Sequence, residues 1–331
     1  MAGIVARSEA MREVLRLAGR VAATDANVLV TGESGAGKDA LARFIHAQSP
    51  RAAGPFVKID CAALPAELLE AELFGFERGA FTGATQAKPG RVEAAHGGTL
   101  VLDEVAHLSV DAQAKLLRVI ERREFERLGG RRTVRVDARL VALTNVDLEE
   151  AVRRRAFRED LFYRLNVVRL RVPPLRERPE DVEPLAEHFL AACAAKHGRP
   201  ARRLSAEALQ VLIHCDFPGN VRELANTVER AVIVAEGEAV TAGDLPAAAR
   251  AAARAGARRA RRPTLAEVEA EYVREVLAQV RGNKSEAARV LGISRKNLYE
   301  KLAKYEEASP GKRGDGEEGK SEEGPGREGR G

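Results

Sequence analysis

The stretch Gly32-Glu33-Ser34-Gly35-Ala36-Gly37-Lys38-Asp39 leaves this chain few folds to choose from. It follows the apolar, β-branched run 27–31 and opens the helical pattern 40–47, so the local order is strand, glycine-rich turn and helix start. Gly32, Gly35 and Gly37 can take positive φ and let main-chain N–H groups approach a polyphosphate closely. The helix N-terminus adds partial positive charge, and Lys38 reaches the β- and γ-phosphates. Between a strand and a helix, the turn reads as a nucleotide-binding loop rather than a plain structural turn. One position departs from the general motif: Asp39 follows the lysine where a Ser or Thr hydroxyl normally binds magnesium. A carboxylate there points to a different way of holding the metal, such as through water.

A second run, Gly97-Gly98-Thr99-Leu100-Val101-Leu102-Asp103-Glu104, is a buried-type strand that ends in two acids. Beside a phosphate loop, Asp103 suits magnesium and Glu104 suits orienting and deprotonating a water. Further strands are expected over 56–60, 139–144 and 166–172, and a hairpin within 127–136. The 139–144 strand ends in Thr144-Asn145, where the asparagine either reaches the attacking water or γ-phosphate or serves as a turn residue. Helical patterns over 9–22, 65–73 and 109–123 alternate with these strands. The fold class is therefore α/β, a parallel sheet with the nucleotide at its carboxyl edge.

Phe76-Glu77-Arg78-Gly79-Ala80-Phe81-Thr82-Gly83-Ala84-Thr85 breaks this alternation, with an aromatic and a threonine between two glycines. Such a stretch supplies no continuous apolar face. Phe81 is either tucked down as a loop anchor or presented outward as a contact.

From 179 to 245 the pattern is helical throughout, as in a smaller all-α domain. Pro218-Gly219-Asn220 interrupts it, and Asn220 with Glu223 has capping-box spacing for a new helix that carries Arg222 in its first turn. The Ala- and Arg-rich stretch 250–263 reads as a linker with helical tendency. Thr264 with Glu267 then caps a helix 265–280, Asn283 with Glu286 caps a second that ends at Leu291, and Ser294 caps a third over 295–305. Ala287, Ala288, Leu291, Ile293, Leu298 and Leu302 supply the core of this three-helix unit. That leaves Arg295, Lys296, Asn297, Glu300 and Lys301 on the open face, as in a recognition helix for a major groove; the alternative is a helical dimerisation hairpin.

Charge separates these alternatives. The net charge of +5 is uneven: residues 250–305 hold 14 Lys and Arg against 6 Asp and Glu, whereas 306–331 hold 5 against 8. A basic C-terminal module on a neutral body favours a polyanion partner and the helix-turn-helix reading. The segment 306–331 is Gly, Glu, Lys, Ser and Pro without a large aliphatic residue, and is expected to be disordered. Cys61, Cys193 and Cys215 fit no metal or redox spacing and read as reduced thiols. No secretory signal and no apolar run long enough to span a bilayer is present, so a cytoplasmic protein without membrane contact is expected.

These motifs closely resemble one family over residues 3–305: the bacterial enhancer-binding proteins, sigma-54-dependent transcriptional activators of the AAA+ class. The most specific element is the intact GAFTGA sequence, Gly79-Ala80-Phe81-Thr82-Gly83-Ala84. The resemblance implies that this loop contacts the sigma factor, which turns Phe81 outward. Phe157-Arg158-Glu159-Asp160-Leu161-Phe162-Tyr163-Arg164-Leu165 resembles the arginine-finger segment, implying that Arg158 and Arg164 act at a neighbouring subunit's γ-phosphate. Pro218-Gly219-Asn220-Val221-Arg222-Glu223-Leu224 resembles sensor II, with Arg222 facing nucleotide, and Thr144-Asn145 resembles sensor I. An acidic residue in the position of Asp39 is usual in the family. Asp60 is not: the family commonly has Asn there to hold the catalytic glutamate, and here two carboxylates would face each other.

The resemblance thus implies an AAA+ core (1–175) carrying the sigma-54 interaction loop, an α-helical lid (176–248), a linker (249–263), a Fis-type helix-turn-helix domain (264–305) and a tail. ATP and Mg2+ are the implied cofactors. The implied partners are sigma-54 RNA polymerase holoenzyme, double-stranded enhancer DNA and further copies in a hexameric ring. Only about 26 residues precede the first strand, leaving no room for a sensory domain, so a regulator acting in trans is expected. The competing reading is a DNA-binding repressor whose AAA+ core serves oligomerisation or ligand sensing; the intact 79–84 motif and Asp103-Glu104 weigh against it.

Overall fold

The computed structural model describes residues 4–199, 203–261 and 264–307. They fall into two compact units, divided after Ala257.

The first unit is built on strands β1 (Val28–Thr31), β2 (Phe56–Asp60), β3 (Thr99–Asp103), β4 (Arg139–Thr144) and β5 (Val168–Arg171), all parallel in the order β2-β3-β4-β1-β5. Helices cover both faces, so the inner strands are apolar between their ends and sort those side chains by alternation. Val28, Val30, Val101, Val141 and Leu143 pack with α1 (Glu9–Ala22) and α2 (Lys38–Ala47). Leu29, Leu100, Leu102, Leu140 and Ala142 pack with α3 (Ala66–Phe74), α4 (Val110–Arg122) and α5 (Glu159–Leu165). Ser8 starts α1 by accepting the Met11 N–H, and Ser109 starts α4 by accepting that of Ala112. At α3, Leu69 and Leu73 are buried, whereas Leu68 and the preceding Leu64 remain exposed.

A smaller helical layer follows, made of α6 (Val182–His197), α7 (Ala206–Ile213) and α8 (Asn220–Val234) around Leu185, Leu190, Leu212, Leu224 and Val228. The stretch expected as a linker is helical over Ala247–Arg261 (α9) and buries Ala253 in that same core. Alanine and arginine are both strong helix formers, which accounts for the difference.

In the second unit, α10 (Leu265–Gln279), α11 (Lys284–Leu291) and α12 (Arg295–Glu307) enclose Ala270, Val273, Val276, Ala287, Ala288 and Leu298. Asn283 caps α11 through the N–H groups of Ser285 and Glu286, and Gly292 ends it in the left-handed conformation. Ser294 accepts the Asn297 N–H to start α12. The Glu267 side chain of the expected capping box lies outside the described residues, as does the expected disordered tail beyond Glu307. Among the described residues no helix is long and apolar enough to cross a membrane.

Candidate functional site

The sheet order sets the site. Strand β4 lies between β1 and β3, and Thr31 is in register with Thr144, so the phosphate loop after β1 and the acids after β3 flank Asn145 at one carboxyl edge. Lys38 opens α2, is 7% exposed, and donates through Nζ to the Gly32 and Glu33 carbonyls at 2.8 and 3.2 Å. Its ammonium lies 3.7 Å from Glu104 Oε1. Burial lowers the Lys38 pKa, and the nearby Glu104 and Asp103 carboxylates oppose that shift. Glu104 itself has φ +52, a strained conformation for a residue with a Cβ, and such strain clusters at functional sites. Its Oε2 accepts the main-chain N–H of Asn145 at 3.1 Å. The Asn145 side chain is exposed, so within this chain Asn145 holds the glutamate through backbone.

The loop is laced to the helical layer at several points. Glu33 accepts both Arg176 guanidinium nitrogens at 2.6 and 2.7 Å and the Asn220 amide at 3.1 Å. Arg176, then Asn220, pull the Glu33 carboxyl down to about 2. Arg178, 2% exposed, donates to the Ala36 carbonyl, and Arg222 reaches Ser34 Oγ at 3.2 Å. Gly35 has φ +73, and a Cβ there would lie 2.3 Å from the Gly219 carbonyl oxygen, so glycine is required by the approach of the helical layer. Asn220 is not the expected helix cap. Gly219 holds the cap position, its N–H bonded to Glu223 at 2.7 Å, while the Asn220 side chain joins Leu175 N–H to Glu33 and to the Ser34 carbonyl. A fully buried amide must find hydrogen-bond partners, and here the two layers supply them.

Lys58 on β2 went unnoticed in the sequence. Its ammonium lies 2.9 Å from Asp39 Oδ1 and 2.8 Å from Asp103 Oδ2, joining the residue after the phosphate-loop lysine to the first of the two strand-end acids. The contact to Asp39 is an ion pair without hydrogen-bond geometry, leaving Oδ1 buried and without a hydrogen bond. Two carboxylates whose facing oxygens meet a single ammonium fit a hard divalent cation such as Mg2+, with phosphate oxygens and water completing its shell. Among the described residues no three acidic, histidine or cysteine side chains cluster to hold a metal alone. The facing carboxylate pair expected of Asp60 is not formed as a hydrogen-bonded contact: Asp60 Oδ1 accepts the Ala62 N–H at 2.9 Å, and Glu104 is held by Lys38 and Asn145. An Asp two residues before a free N–H closes a local turn at little cost.

The loop 79–84 folds on itself through Gly79 N–H to the Ala84 carbonyl and Ala84 N–H to that of Phe81. Arg127 braces its base by bridging Glu77 and Glu93. Phe81 answers both sequence alternatives in part: its ring packs edge-on to Phe76 at 4.9 Å, yet the residue is 44% exposed, and Thr82 is exposed beside it.

Arg158 and Arg164 are not brought to the phosphate loop of their own chain. Arg158 pairs with Asp160 at 2.7 Å and Arg164 with Glu121 at 2.9 Å, both at the surface. The Arg158 main chain is anchored from inside: its N–H donates to the fully buried Gln113, whose amide donates to the Leu108 and Ala156 carbonyls.

In the second unit Arg295, Lys296, Asn297 and Glu300 are exposed along α12, as expected. Lys301 is not on the open face. Its side chain is 26% exposed and pairs with Glu269 of α10 at 2.6 Å, because one turn further along the helix axis the face rotates towards the bundle. Tyr299, 54% exposed beneath the Lys284 ammonium, occupies that open face instead.

Comparison with known proteins agrees with this geometry. Residues 4–171 match the sigma-54 interaction domain family, 176–262 an AAA+ ATPase lid domain, and 264–305 the Fis family of bacterial regulatory proteins. The chain is 46% identical over 321 residues to the transcriptional regulatory protein FlbD of Caulobacter vibrioides, covering 92% of this chain and 70% of that protein. It is 45% identical to the regulatory protein AtoC of Escherichia coli, covering 91% and 67%. The crystal structure of NtrX from Brucella abortus in complex with ATP superposes with a TM-score of 0.71 at 38% identity, covering 91% of this chain and 69% of that one.

Proposed function

Because the chain belongs to the family of sigma-54-dependent transcriptional regulators, with an AAA+ ATPase core, lid and Fis-type helix-turn-helix domain, we propose that it is a mechanochemical activator. It binds upstream DNA, assembles as a hexameric ring in the cytoplasm, hydrolyses ATP and remodels sigma-54 RNA polymerase holoenzyme so that the promoter opens. The observation that carries this reading is the pairing of a hydrolytic edge, Lys38 with Glu104, and a braced, outward loop with exposed Phe81 and Thr82 on one sheet-based unit.

In this reading the loop N–H groups, Lys38 and Arg222 hold the phosphates. Asp103 and Asp39 hold Mg2+, which would neutralise charge on the β- and γ-phosphates. Glu104, aimed by Asn145 N–H and Lys38, takes the proton of the water that attacks the γ-phosphorus. The bond to the bridging oxygen breaks, and ADP leaves with that electron pair. Arg158 and Arg164, paired only with surface acids in their own chain, are free to exchange those partners for a neighbouring subunit's γ-phosphate. The Glu33–Arg176 and Asn220 contacts would pass phosphate-loop movement to the lid. Arg295, Lys296, Asn297 and Glu300 read the major groove.

The test is Thr82→Val, which removes a surface hydroxyl from the loop. ATPase activity should stay within about twofold of the parent, while open-complex formation at a sigma-54 promoter falls by at least about tenfold. Full open-complex formation by the variant would return the loop to a structural role. A parent that hydrolyses ATP and binds DNA but opens no promoter would instead fit a repressor.

A further inference from the structure

The two carboxylates read as the metal end of the site already share a cation. Lys58 reaches them from β2, where it sits two residues before Asp60 and is paired in register with Val101. Its ammonium touches Asp39 of the first turn of α2 and Asp103 at the end of β3, at 2.9 and 2.8 Å. The two lysines of the site thus divide its charge: Lys38 is turned to the loop carbonyls and Glu104, and Lys58 to Asp39 and Asp103. Lys58 is partly exposed and lines an open cleft with Asp60 and Phe81, so exchange with solvent ions is not blocked by packing.

We propose that Lys58 is a tethered cation that screens Asp39 and Asp103 and makes divalent-metal binding conditional on nucleotide. Lys58 between the two carboxylates, with Arg43 on the other Asp39 oxygen at 3.2 Å, leaves the pair without net negative charge, too little to strip water from a strongly hydrated divalent ion. Phosphates arriving with nucleotide restore the missing negative charge and supply further oxygen ligands, and Lys58 then yields Asp39 and Asp103 to the metal. Without the lysine, Asp103 and the facing Asp39 oxygen have no charge between them, Arg43 holding only the other Asp39 oxygen, and the net negative charge regained makes a standing cation site. This inference rests on the assignment of Asp39 and Asp103 to the metal.

The experiment measures Mn2+ binding to the full-length protein by the loss of free-Mn2+ electron paramagnetic resonance signal, without nucleotide and then with ATP. Lys58→Met, close in length and without charge, should bind Mn2+ alone at least about tenfold more tightly than the parent, from the Coulomb energy of a unit charge at this range. Lys58→Arg, which keeps the charge, should bind as the parent does, and Asp103→Asn added to Lys58→Met should remove the gain. If Lys58→Met does not fold, Lys58→Gln serves in the same comparison. Equal nucleotide-free Mn2+ affinity in the parent and the neutral variant, with Asp103→Asn still weakening Mn2+ binding in the presence of ATP, overturns the role of Lys58 alone. If Asp103→Asn leaves binding with ATP unchanged, the metal assignment fails and the inference with it.

Discussion

Gln113 is a buried side chain that ties the start of α4 to the segment that presents Arg158. Its Nε2 donates to the Leu108 carbonyl at 2.9 Å and the Ala156 carbonyl at 3.2 Å, and its Oε1 accepts the Arg158 N–H at 2.8 Å. Gln113→Leu fills nearly the same volume, so cavity formation contributes little and the cost is that of main-chain groups left without partners. Each such group costs about 1–3 kcal/mol when buried. The Leu108 bond is fully buried and the other two partly so, which brings the expected loss to about 3 kcal/mol. In a unit of this size that corresponds to a fall of about 6–12 °C in the thermal midpoint, read by circular dichroism. ATP binding should persist while ATPase activity of the assembled protein drops, because the base of the proposed finger is no longer fixed. A midpoint within about 2 °C of the parent would refute the reasoning, since one buried and two partly buried partners cannot be lost so cheaply.

Lys38→Ala should lose ATP binding, whereas Glu104→Gln should bind ATP and scarcely hydrolyse it; equal loss of binding in both would remove the division of roles. The Glu33 carboxyl, held at about 2 against an ordinary 4.5, favours the folded lid contact in its ionised form. Its contribution is therefore fully present above about pH 4.5 and is lost as pH falls towards about 2. The stability difference between the parent and Glu33→Gln should be flat from about pH 5 to pH 8 and shrink below about pH 4.5; a difference that grows in acid contradicts the clamp. Asp60→Asn keeps an oxygen for the Ala62 N–H, so stability should change by less than about 0.5 kcal/mol, and a fall in ATPase activity would mark a restraint on Glu104 that the amide supplies and the carboxylate does not. Unchanged ATPase activity would leave Asp60 as a turn residue only.

Local chemistry made much of this protein legible from its residues. The phosphate loop, the strand ending in Asp103-Glu104, the Asn283 and Ser294 caps and the alternation of strand and helix all depend on neighbours a few positions apart, where spacing alone determines what meets. The motif at 79–84 was readable as a loop, but its half-packed Phe81 was not, because Phe76 reaches it only once the short hairpin at its base has closed. Asn220 shows the limit of spacing: the capping-box pattern was present, yet a partner 45 residues away at Leu175 and another 187 away at Glu33 claimed the side chain. Lys301 carries the same lesson, since Glu269 of another helix drew it off the open face. Lys58 lies between the apolar Val57 and Ile59, and nothing in sequence spacing tells that β2 lies beside β3 and that α2 starts above both. The strand order brings Asp39, Lys58 and Asp103 within ion-pair distance, and at that range their charges act as one group.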